Sequence, residues 1–306
     1  MIARRNAEYN RAVLGELLAA IVTPFDRDGR VDLGRFRSLA RHLVEQGCDG
    51  LVVAATTGEA PTLTDEEKLE LWKAAVHEVG GEASVIASTG TYSTEHSVEL
   101  TEQADRIGVD GFLVVTPYYN KPPPRGIVAH FREIARVTEK PIMVYNIPAR
   151  VVINVEPATM CELAEIPNVT SVKQANPDLD QARRILEETE LALYAGDDNL
   201  MYPFLELGGT GGVCVRANIA APQMKELIRR FRAGDAEGAK QIDEQLGPLY
   251  ELDAVAVNPI PVKTALNLLG HEVGGLRLPL VEATPEEKAH VRGCLERAGL
   301  AVSAPA

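Results

Sequence analysis

The stretch Val169-Thr-Ser-Val-Lys-Gln-Ala-Asn176 combines an alternating apolar pattern with a single lysine. The alternation predicts a short buried strand, and the small and polar residues after Gln174 predict the turn that ends it. Lys173 therefore falls at the carboxyl end of a core strand. Ammonium groups are seldom fully buried, because desolvation without a partner is costly. Two explanations follow: an ion pair with a nearby carboxylate, or an amine that attacks a ketone to form a Schiff base.

The composition is that of an ordinary globular protein. The chain has 306 residues, of which 45% are hydrophobic and 25% charged, and its formal net charge is −13. That length accommodates one large α/β domain with a smaller appendage. Because no lysine and arginine cluster suited to a nucleic-acid-binding face is present, we expect no nucleic-acid partner. We find no apolar run long enough for a transmembrane segment and no signal-peptide pattern, so we expect a cytoplasmic location and no membrane partner.

The cysteines carry no metal-binding signature. Cys48, Cys161, Cys214 and Cys294 are widely spaced, with no Cys-x-x-Cys pair and no metal-type spacing to the six histidines. We therefore predict no metal site, and we expect these residues to be small buried side chains in a reducing compartment.

Short apolar runs alternate with longer amphipathic segments along most of the chain. The runs predict eight strands, at residues 17–25, 50–55, 84–88, 111–116, 141–147, 169–174, 191–195 and 211–215. Helical patterns cover residues 32–46, 64–79 and 93–107, and further helices begin near residues 124, 156, 177, 198 and 221. Eight strand–helix units predict a closed (β/α)8 barrel, the TIM barrel. An open doubly wound sheet is the alternative, although the first strand lacks the glycine-rich phosphate loop that such a sheet favours.

The strand pattern stops at about Gly234. Residues 236–250, 259–269 and 284–298 predict helices instead, and the last begins with a threonine followed by proline, as helices often do. We therefore divide the chain into an N-terminal extension (residues 1–16), a catalytic barrel (residues 17–234) and a C-terminal helical region (residues 235–306).

In such a barrel, functional side chains lie where the strands end. Lys173 at the sixth strand can form an imine with a 2-oxo acid. Imine formation needs protons moved, and the buried phenol of Tyr145 can move them through the hydroxyls of Thr56 and Tyr119. The neighbouring Tyr118 is better explained as an aromatic at a subunit interface.

Two further positions are suited to carboxylates. The Thr57 hydroxyl and the backbone N–H groups of residues 56–58 can hold the carboxylate of the oxo acid. Arg150 can hold a second carboxylate with its planar guanidinium. The alternatives are structural: the threonines can cap the next helix, and Arg150 can pair with Glu156 or Asp178.

Two other motifs have stronger structural than chemical explanations. The glycines of residues 208–212 can cradle a phosphate, but they precede a strand instead of opening a helix, so we favour a tight turn or close packing. Asp197 and Asp198 make a weak metal site without a third ligand, so we predict that they cap the next helix.

Eight stretches of the sequence match one known family in order. They are Thr23-Pro24-Phe25, Thr56-Thr57-Gly58-Glu59, Val115-Thr116-Pro117-Tyr118-Tyr119-Asn120-Lys121-Pro122, Tyr145-Asn146-Ile147-Pro148 with Arg150, Val172-Lys173, Gly196-Asp197-Asp198, Asn258-Pro259-Ile260-Pro261-Val262-Lys263 and Leu276-Arg277-Leu278-Pro279. On these motifs the chain resembles the dihydrodipicolinate synthase / N-acetylneuraminate lyase family of Schiff-base aldolases, and within it the synthase branch. Each motif is weak alone, but eight in register are specific.

The resemblance implies a (β/α)8 barrel with a C-terminal helical region. It also implies a lyase that condenses pyruvate with L-aspartate-4-semialdehyde in lysine and diaminopimelate biosynthesis, without a cofactor. Lys173 would form the Schiff base, and Tyr145 would donate and accept protons, linked to Thr56 and to Tyr119 of a neighbouring subunit. Because the family is usually tetrameric, we expect a homotetramer built from dimers.

The resemblance also implies how substrates are held. Thr57 and the Val213 backbone would contact pyruvate, and Arg150 would contact the carboxylate of the semialdehyde. Sialic-acid lyases typically lack this arginine, so Arg150 favours a short substrate that carries a carboxylate. The sequence departs from the family pattern at residues 174–176 and at Arg216, which stands where a small polar residue is usual.

Two other functions stay open. A related aldolase would cleave 4-hydroxy-2-oxoglutarate or a sugar acid through the same imine. A non-catalytic barrel would bind an oxo acid, but such a protein is expected to have lost Lys173 or Tyr145, and both are present.

Lysine feedback is predicted to be weak or absent. In the enzymes of the family that bind feedback lysine, polar residues form that site, and here the positions fall near Ala60, Asp65, Lys68, Tyr92 and His96. Lys68 would repel a lysine ligand, and Ala60 offers no side-chain donor.

Overall fold

The sheet closes on itself. The structure is a computed structural model that describes residues 14–302. Its strands are Leu17–Ala20 (β1), Gly50–Val53 (β2), Ser84–Ser88 (β3), Gly111–Val115 (β4), Ile142–Asn146 (β5), Val169–Gln174 (β6), Ala192–Ala195 (β7) and Gly211–Cys214 (β8). Each strand pairs in parallel with the next, and β8 pairs with β1. This order confirms the predicted (β/α)8 barrel and excludes the open sheet.

Helices cover the barrel and follow it. Those around the barrel are Leu33–Glu45 (α1), Asp65–Val79 (α2), Thr94–Ile107 (α3), Pro124–Ala135 (α4), Pro148–Val151 (α5), Pro157–Ala164 (α6), Leu179–Glu188 (α7), Met201–Leu207 (α8) and Ala217–Arg232 (α9). After the last strand come Ala236–Tyr250 (α10), Leu252–Val255 (α11), Ile260–Leu268 (α12) and Pro285–Arg297 (α13). None of these helices has the length and apolar character needed to cross a bilayer.

Side-chain caps explain why three helices begin where the sequence predicts. Asp32 accepts a hydrogen bond from the backbone N–H of Arg35 at the start of α1. Thr64 and Glu67 form a capping box at α2, and Thr284 with Glu287 forms another at α13. Each cap satisfies backbone donors that have no partner inside the helix.

The main differences between the predicted and the observed elements concern β1, α9 and two short helices. β1 ends at Ala20. The Ile21 N–H still donates to the Val52 carbonyl of β2, but the Val22 N–H donates to the Asn218 side chain and the Phe25 N–H to the Val273 carbonyl, outside the sheet. Helix α9 begins at Ala217, before the predicted start, and is interrupted by non-helical backbone at Ala220. The four-residue helices α5 and α11 were not predicted, because one turn carries no periodic pattern.

Alternate residues of each strand enter different cores. Leu18, Val52, Met143 and Tyr145 belong to a cluster inside the barrel, whereas residues between them, such as Val144, pack against the surrounding helices. This is the two-residue period of a strand. Lys173 shares the register position of Tyr145 on the next strand, so it belongs to the inner face.

The glycines before β8 serve close packing. A Cβ on Gly211 would lie 1.9 Å from the backbone oxygen of Glu16, and Gly208 ends α8 with a φ of +101°. The first position needs a missing side chain and the second a left-handed conformation. These two positions confirm the prediction that the glycines serve close packing or a tight turn.

The described strands end before residue 235, and α10 to α13 complete the chain. The boundary between residues 234 and 235 stays a prediction, because residues of the C-terminal region form hydrogen bonds with the barrel. Of the predicted N-terminal extension, residues 1–13 lie outside the described part.

Candidate active site

Lys173 and Tyr145 form the centre of the site. They are paired residues of β6 and β5, and both are buried. The Lys173 Nζ lies 4.2 Å from the centroid of the Tyr145 ring. An ammonium over an aromatic face is stabilised by the ring quadrupole. The strand pairing therefore brings the predicted nucleophile and the predicted proton carrier together.

Lys173 has no ion-pair partner within the described residues. No carboxylate of residues 14–302 lies within 4.0 Å of its Nζ, whereas the buried Lys263 of the same range has the Glu59 carboxylate at 2.9 Å. A direct ion pair within the described residues therefore does not explain the buried lysine. What remains is an almost fully buried amine with no carboxylate of the described residues in direct contact, which is the environment of a reactive lysine.

A cavity of about 330 Å³ opens beside Tyr145, and neither Lys173 nor Thr57 is among its lining residues. Thr56, Tyr145 and Arg150 line it, and Tyr118, Val115 and Ala60 complete part of its wall. Three of the predicted site residues, contributed by β5 and by the segments after β2 and β5, therefore share one space. The cavity has room for a small molecule of a few carbon atoms, with the arginine on its wall able to bind an anion.

Thr57 does not cap a helix. Thr64 is the cap of α2, so the capping explanation for Thr56 and Thr57 is wrong. Instead the Thr57 Oγ1 accepts a hydrogen bond of 3.0 Å from the Asn258 Nδ2. Thr57 is buried and Asn258 comes from the segment between α11 and α12. The C-terminal region therefore reaches the predicted substrate-binding turn.

Arg150 forms no ion pair with the Glu156 or the Asp178 carboxylate. It lies exposed in α5, and its Nη2 donates to the backbone carbonyl of Asn258 at 3.1 Å. No ion pair of Arg150 with Glu156 or Asp178 is found in the described residues. Its charge is therefore available for an anionic ligand.

Tyr119 points away from its own subunit. It lies in the segment between β4 and α4, its φ is +69°, and its side chain is 93% exposed. Tyr118, by contrast, is half-buried and packs edge-on against Tyr92, with ring centroids 5.4 Å apart. Within one chain, the exposed Tyr119 is therefore not brought to the buried Lys173.

Val213 lies on β8, fully buried in the inner core with Tyr145. At the end of the neighbouring strand, burial raises the pKa of the Asp197 carboxyl, and the Lys173 ammonium acts in the opposite direction. Burial also raises the pKa of the Cys214 thiol, again opposed by Lys173. Lys173 therefore lies within electrostatic reach of two acidic groups that burial keeps protonated to higher pH.

The predicted capping role of the two aspartates is wrong. Neither side chain caps the turn Asp198–Leu200 or the helix α8. The buried Asp198 carboxylate instead accepts the backbone N–H groups of Val215 and Arg216, at 3.0 and 2.9 Å. It also lies 3.6 Å from the buried guanidinium of Arg216. The Arg216 Nη2 also lies 2.7 Å from the Asp253 Oδ1. The unusual Arg216 therefore has a structural role, since it bridges Asp198 and Asp253.

Sequence reasoning assigned no role to the buried pair Glu59 and Lys263. The Lys263 Nζ donates to the Glu59 Oε1 and to the Thr23 carbonyl, both at 2.9 Å. The other carboxylate oxygen accepts the backbone N–H of Arg277 at 3.0 Å. Both residues stood in recognised motifs, but nothing in a one-dimensional pattern shows that they meet. This pair ties the turn after β2 to the C-terminal region.

One group of potential metal ligands lies in the C-terminal helical region. Glu251, His290 and Cys294 bring their ligand atoms within 4.8 Å of one another. The Arg297 guanidinium already donates to both Glu251 and Cys294. The positive charge next to these three side chains is therefore that of Arg297.

All four cysteines are free, and three are buried, as expected for small core side chains.

Known proteins are similar to this chain in both fold and sequence. The family model of the dihydrodipicolinate synthetase family matches residues 13–298. A 4-hydroxy-tetrahydrodipicolinate synthase from Moorella thermoacetica is 48% identical over 94% of this chain and 99% of its own. A crystal structure of the Cyanidioschyzon merolae enzyme with lysine bound has a TM-score of 0.92 and 44% identity, covering 94% of this chain and 99% of the other.

A third comparison concerns assembly. A chain described as the first monomeric dihydrodipicolinate synthase variant has a TM-score of 0.92 and 38% identity, covering 95% of this chain and 99% of its own. Because the family match and the 48% identical relative both span nearly the whole described chain, and the paired lysine and tyrosine lie where the motifs placed them, the protein belongs to the dihydrodipicolinate synthetase family.

Proposed function

We propose that this protein condenses pyruvate with L-aspartate-4-semialdehyde to form 4-hydroxy-tetrahydrodipicolinate, as a lyase of lysine and diaminopimelate biosynthesis. The observation that carries the proposal is the position of Lys173: buried, without a carboxylate partner in the described residues, and 4.2 Å from the Tyr145 ring. The relatives' printed names, among them 4-hydroxy-tetrahydrodipicolinate synthase, support the choice of reaction.

The first half of the reaction uses Lys173 and Tyr145. The neutral Lys173 amine attacks the C2 carbonyl of pyruvate, and the resulting carbinolamine loses water to give an imine. Tyr145 supplies the proton that the leaving hydroxyl needs and recovers one later, through the hydroxyls of Thr56 and Tyr119. Loss of a C3 proton then converts the imine to an enamine.

The second half joins the two substrates. The enamine carbon attacks the aldehyde carbon of the semialdehyde, and a proton converts the new alkoxide to the 4-hydroxyl group. The amino group of the bound semialdehyde then attacks the imine carbon and expels the Lys173 amine, which closes the ring. Thr57 and the Val213 backbone hold the pyruvate carboxylate, and Arg150 holds the carboxylate of the semialdehyde.

We place the working protein in a homotetramer built from dimers and in the cytoplasm. The exposure of Tyr119 supports assembly, because a hydroxyl needed for proton transfer lies 93% exposed on an isolated chain. A structural relative described as the first monomeric variant implies that oligomers are usual for such enzymes. We assign no metal or organic cofactor to the reaction.

Borohydride trapping tests the proposal. The protein is incubated with pyruvate and borohydride, and the modified residue is located by intact and peptide mass spectrometry. We expect one reduced pyruvyl group on Lys173 and none in the variant Lys173→Met. An unmodified, folded wild-type protein would refute the imine and favour an oxo-acid-binding barrel.

The second substrate is tested separately. With trapping established, we expect pyruvate consumption to depend on aspartate semialdehyde, and Arg150→Met to raise KM for the semialdehyde while leaving pyruvate trapping intact. If the protein instead cleaves 4-hydroxy-2-oxoglutarate or a sugar acid and ignores the semialdehyde, the related aldolase activity is correct and the condensation is refuted.

A further inference from the structure

Asn258 contacts both of the side chains that we assign to substrate carboxylates. Its side-chain Nδ2 donates to the Thr57 Oγ1 at 3.0 Å, and its backbone carbonyl accepts from the Arg150 Nη2 at 3.1 Å. Asn258 lies in the segment between α11 and α12, 201 residues beyond Thr57. One residue from the C-terminal region therefore joins two groups of the barrel.

The contact with Asn258 determines what the Thr57 hydroxyl can do. A hydroxyl has one proton to donate and two lone pairs to accept with. Since the Asn258 amide donates, it takes up a lone pair and leaves the Thr57 proton free. Thr57 is only 2% exposed, and its hydroxyl has no acceptor among residues 14–302. Its remaining role is to donate to a ligand oxygen.

The rigidity of this contact comes from the Glu59 and Lys263 pair. Glu59 follows Thr57 by two residues, and Lys263 follows Asn258 by five. Their side chains meet at 2.9 Å with both almost fully buried. A buried ion pair resists separation, because either charge alone would be desolvated without compensation. The turn that carries Thr57 and the segment that carries Asn258 are thus held in fixed register.

We propose that Asn258 is a positioning residue for the oxo-acid substrate: its amide orients the Thr57 hydroxyl as a donor to the substrate carboxylate, while its carbonyl restrains Arg150. The inference rests on the proposed function, since it assumes that pyruvate binds at Thr57. Asn258 itself need not touch the substrate. The C-terminal region is then part of the active site and no mere appendage to the barrel.

Pyruvate affinity is the property to measure. The half-saturating pyruvate concentration for borohydride trapping reports binding at the site and does not need the second substrate. We expect Asn258→Ala to raise it about five- to tenfold, the usual effect of losing one neutral hydrogen bond. We expect Asn258→Asp to raise it about a hundredfold, because a carboxylate accepts the Thr57 proton and repels the pyruvate carboxylate.

Two controls separate positioning from a general loss of structure. Asn258→Asp has nearly the shape of the wild type, so it reports on the site even if the alanine variant folds poorly. Asn267→Ala removes an amide from the same region that is more exposed than that of Asn258 and donates to the Gly274 carbonyl at 2.9 Å. We expect Asn267→Ala to leave pyruvate affinity unchanged.

A double-mutant cycle gives the decisive result. In a Thr57→Val background there is no hydroxyl to orient, so we expect Asn258→Ala to have no further effect on half-saturation. An equal effect in both backgrounds would overturn the inference, as would unchanged affinity in Asn258→Ala while the wild type is trapped normally. Wild-type protein that is never trapped would overturn the proposed function and the inference together.

Discussion

The Lys173 Nζ lies 4.2 Å from the centroid of the Tyr145 ring, across the paired strands β6 and β5. Paired residues of neighbouring parallel strands face the same side of the sheet. The relationship therefore follows from strand register and not from any flexible loop. The proposed nucleophile and the proposed proton carrier lie on adjacent rigid strands, which would keep their separation during the reaction, as imine chemistry needs.

Lys173→Met should abolish activity and stabilise the fold. Without the amine there is no imine, so we expect kcat to fall by about a thousandfold or more. Because no carboxylate of the described residues lies within ion-pair distance of Lys173, replacing the ammonium by an apolar side chain of similar length should raise the free energy of unfolding by about 1–3 kcal/mol. Urea unfolding of both proteins measures this change. A loss of stability would show that Lys173 is a structural residue.

Lys263→Met should have the opposite effect on stability. Lys263 is as deeply buried as Lys173, but it pairs with Glu59 at 2.9 Å, and its removal leaves that carboxylate uncompensated. We expect the free energy of unfolding to fall by about 3–5 kcal/mol. The double variant Lys263→Met with Glu59→Leu should recover part of the loss, because it buries no unpaired charge. Additive losses in the cycle would contradict the pairing.

Tyr119 should act on the site of a partner subunit. Its 93% exposure and its left-handed backbone, with φ at +69°, present the hydroxyl outward. When Lys173→Met and Tyr119→Phe protomers are mixed and reassembled, a mixed dimer regains one complete site. Random pairing should therefore restore about a quarter of wild-type activity. If the mixture stays as inactive as its parents, Tyr119 acts within its own chain.

His130 should make stability depend on pH. Burial lowers the pKa of His130 from 6.5 to about 4, and its Nδ1 lies 3.0 Å from the Thr94 Oγ1. Between pH 6.5 and 4 the unfolded chain binds a proton at this position and the folded chain does not. Stability is therefore lost as pH falls through that window, by about 3 kcal/mol in total from this residue.

Thermal unfolding from pH 7 to pH 4 measures the contribution of His130. We expect His130→Asn to show a smaller fall in Tm than the wild type over this range. The exposed His77 supplies the matched control, and His77→Gln should retain the wild-type slope. Equal slopes for wild type and His130→Asn would show that His130 does not titrate as burial predicts.

L-Lysine should inhibit the protein weakly or not at all. The Asp65 carboxylate, at the predicted position of a feedback site, already contacts the Lys68 ammonium at 3.0 Å and the His96 ring at 2.7 Å. An incoming ammonium would have to displace Lys68 from this carboxylate. The related Cyanidioschyzon merolae structure has lysine bound, so a direct titration of activity is informative. Half-inhibition at sub-millimolar lysine would refute this prediction.

The elements of the fold were predictable because their signals are local. The apolar runs placed all eight strands, and the caps at Asp32, Thr64 and Thr284 placed three helix starts correctly. β1 was predicted too long, because a buried loop and a buried strand are equally apolar. The two aspartates were assigned to a helix cap, but Asp198 instead binds the backbone that follows β8.

By itself, the sequence determined the positions of the eight strands, the lysine at the end of a core strand and the family motifs around it. These depend on side-chain alternation and on hydrogen bonds between residues three or four apart, which any reader of the chain can count. Only the tertiary structure decided that Lys173 has no carboxylate partner within the described residues, that Asn258 reaches Thr57 and that Glu59 meets Lys263. The last two contacts join residues more than 200 positions apart, so they exist only once the barrel has closed and the C-terminal helices have packed against it.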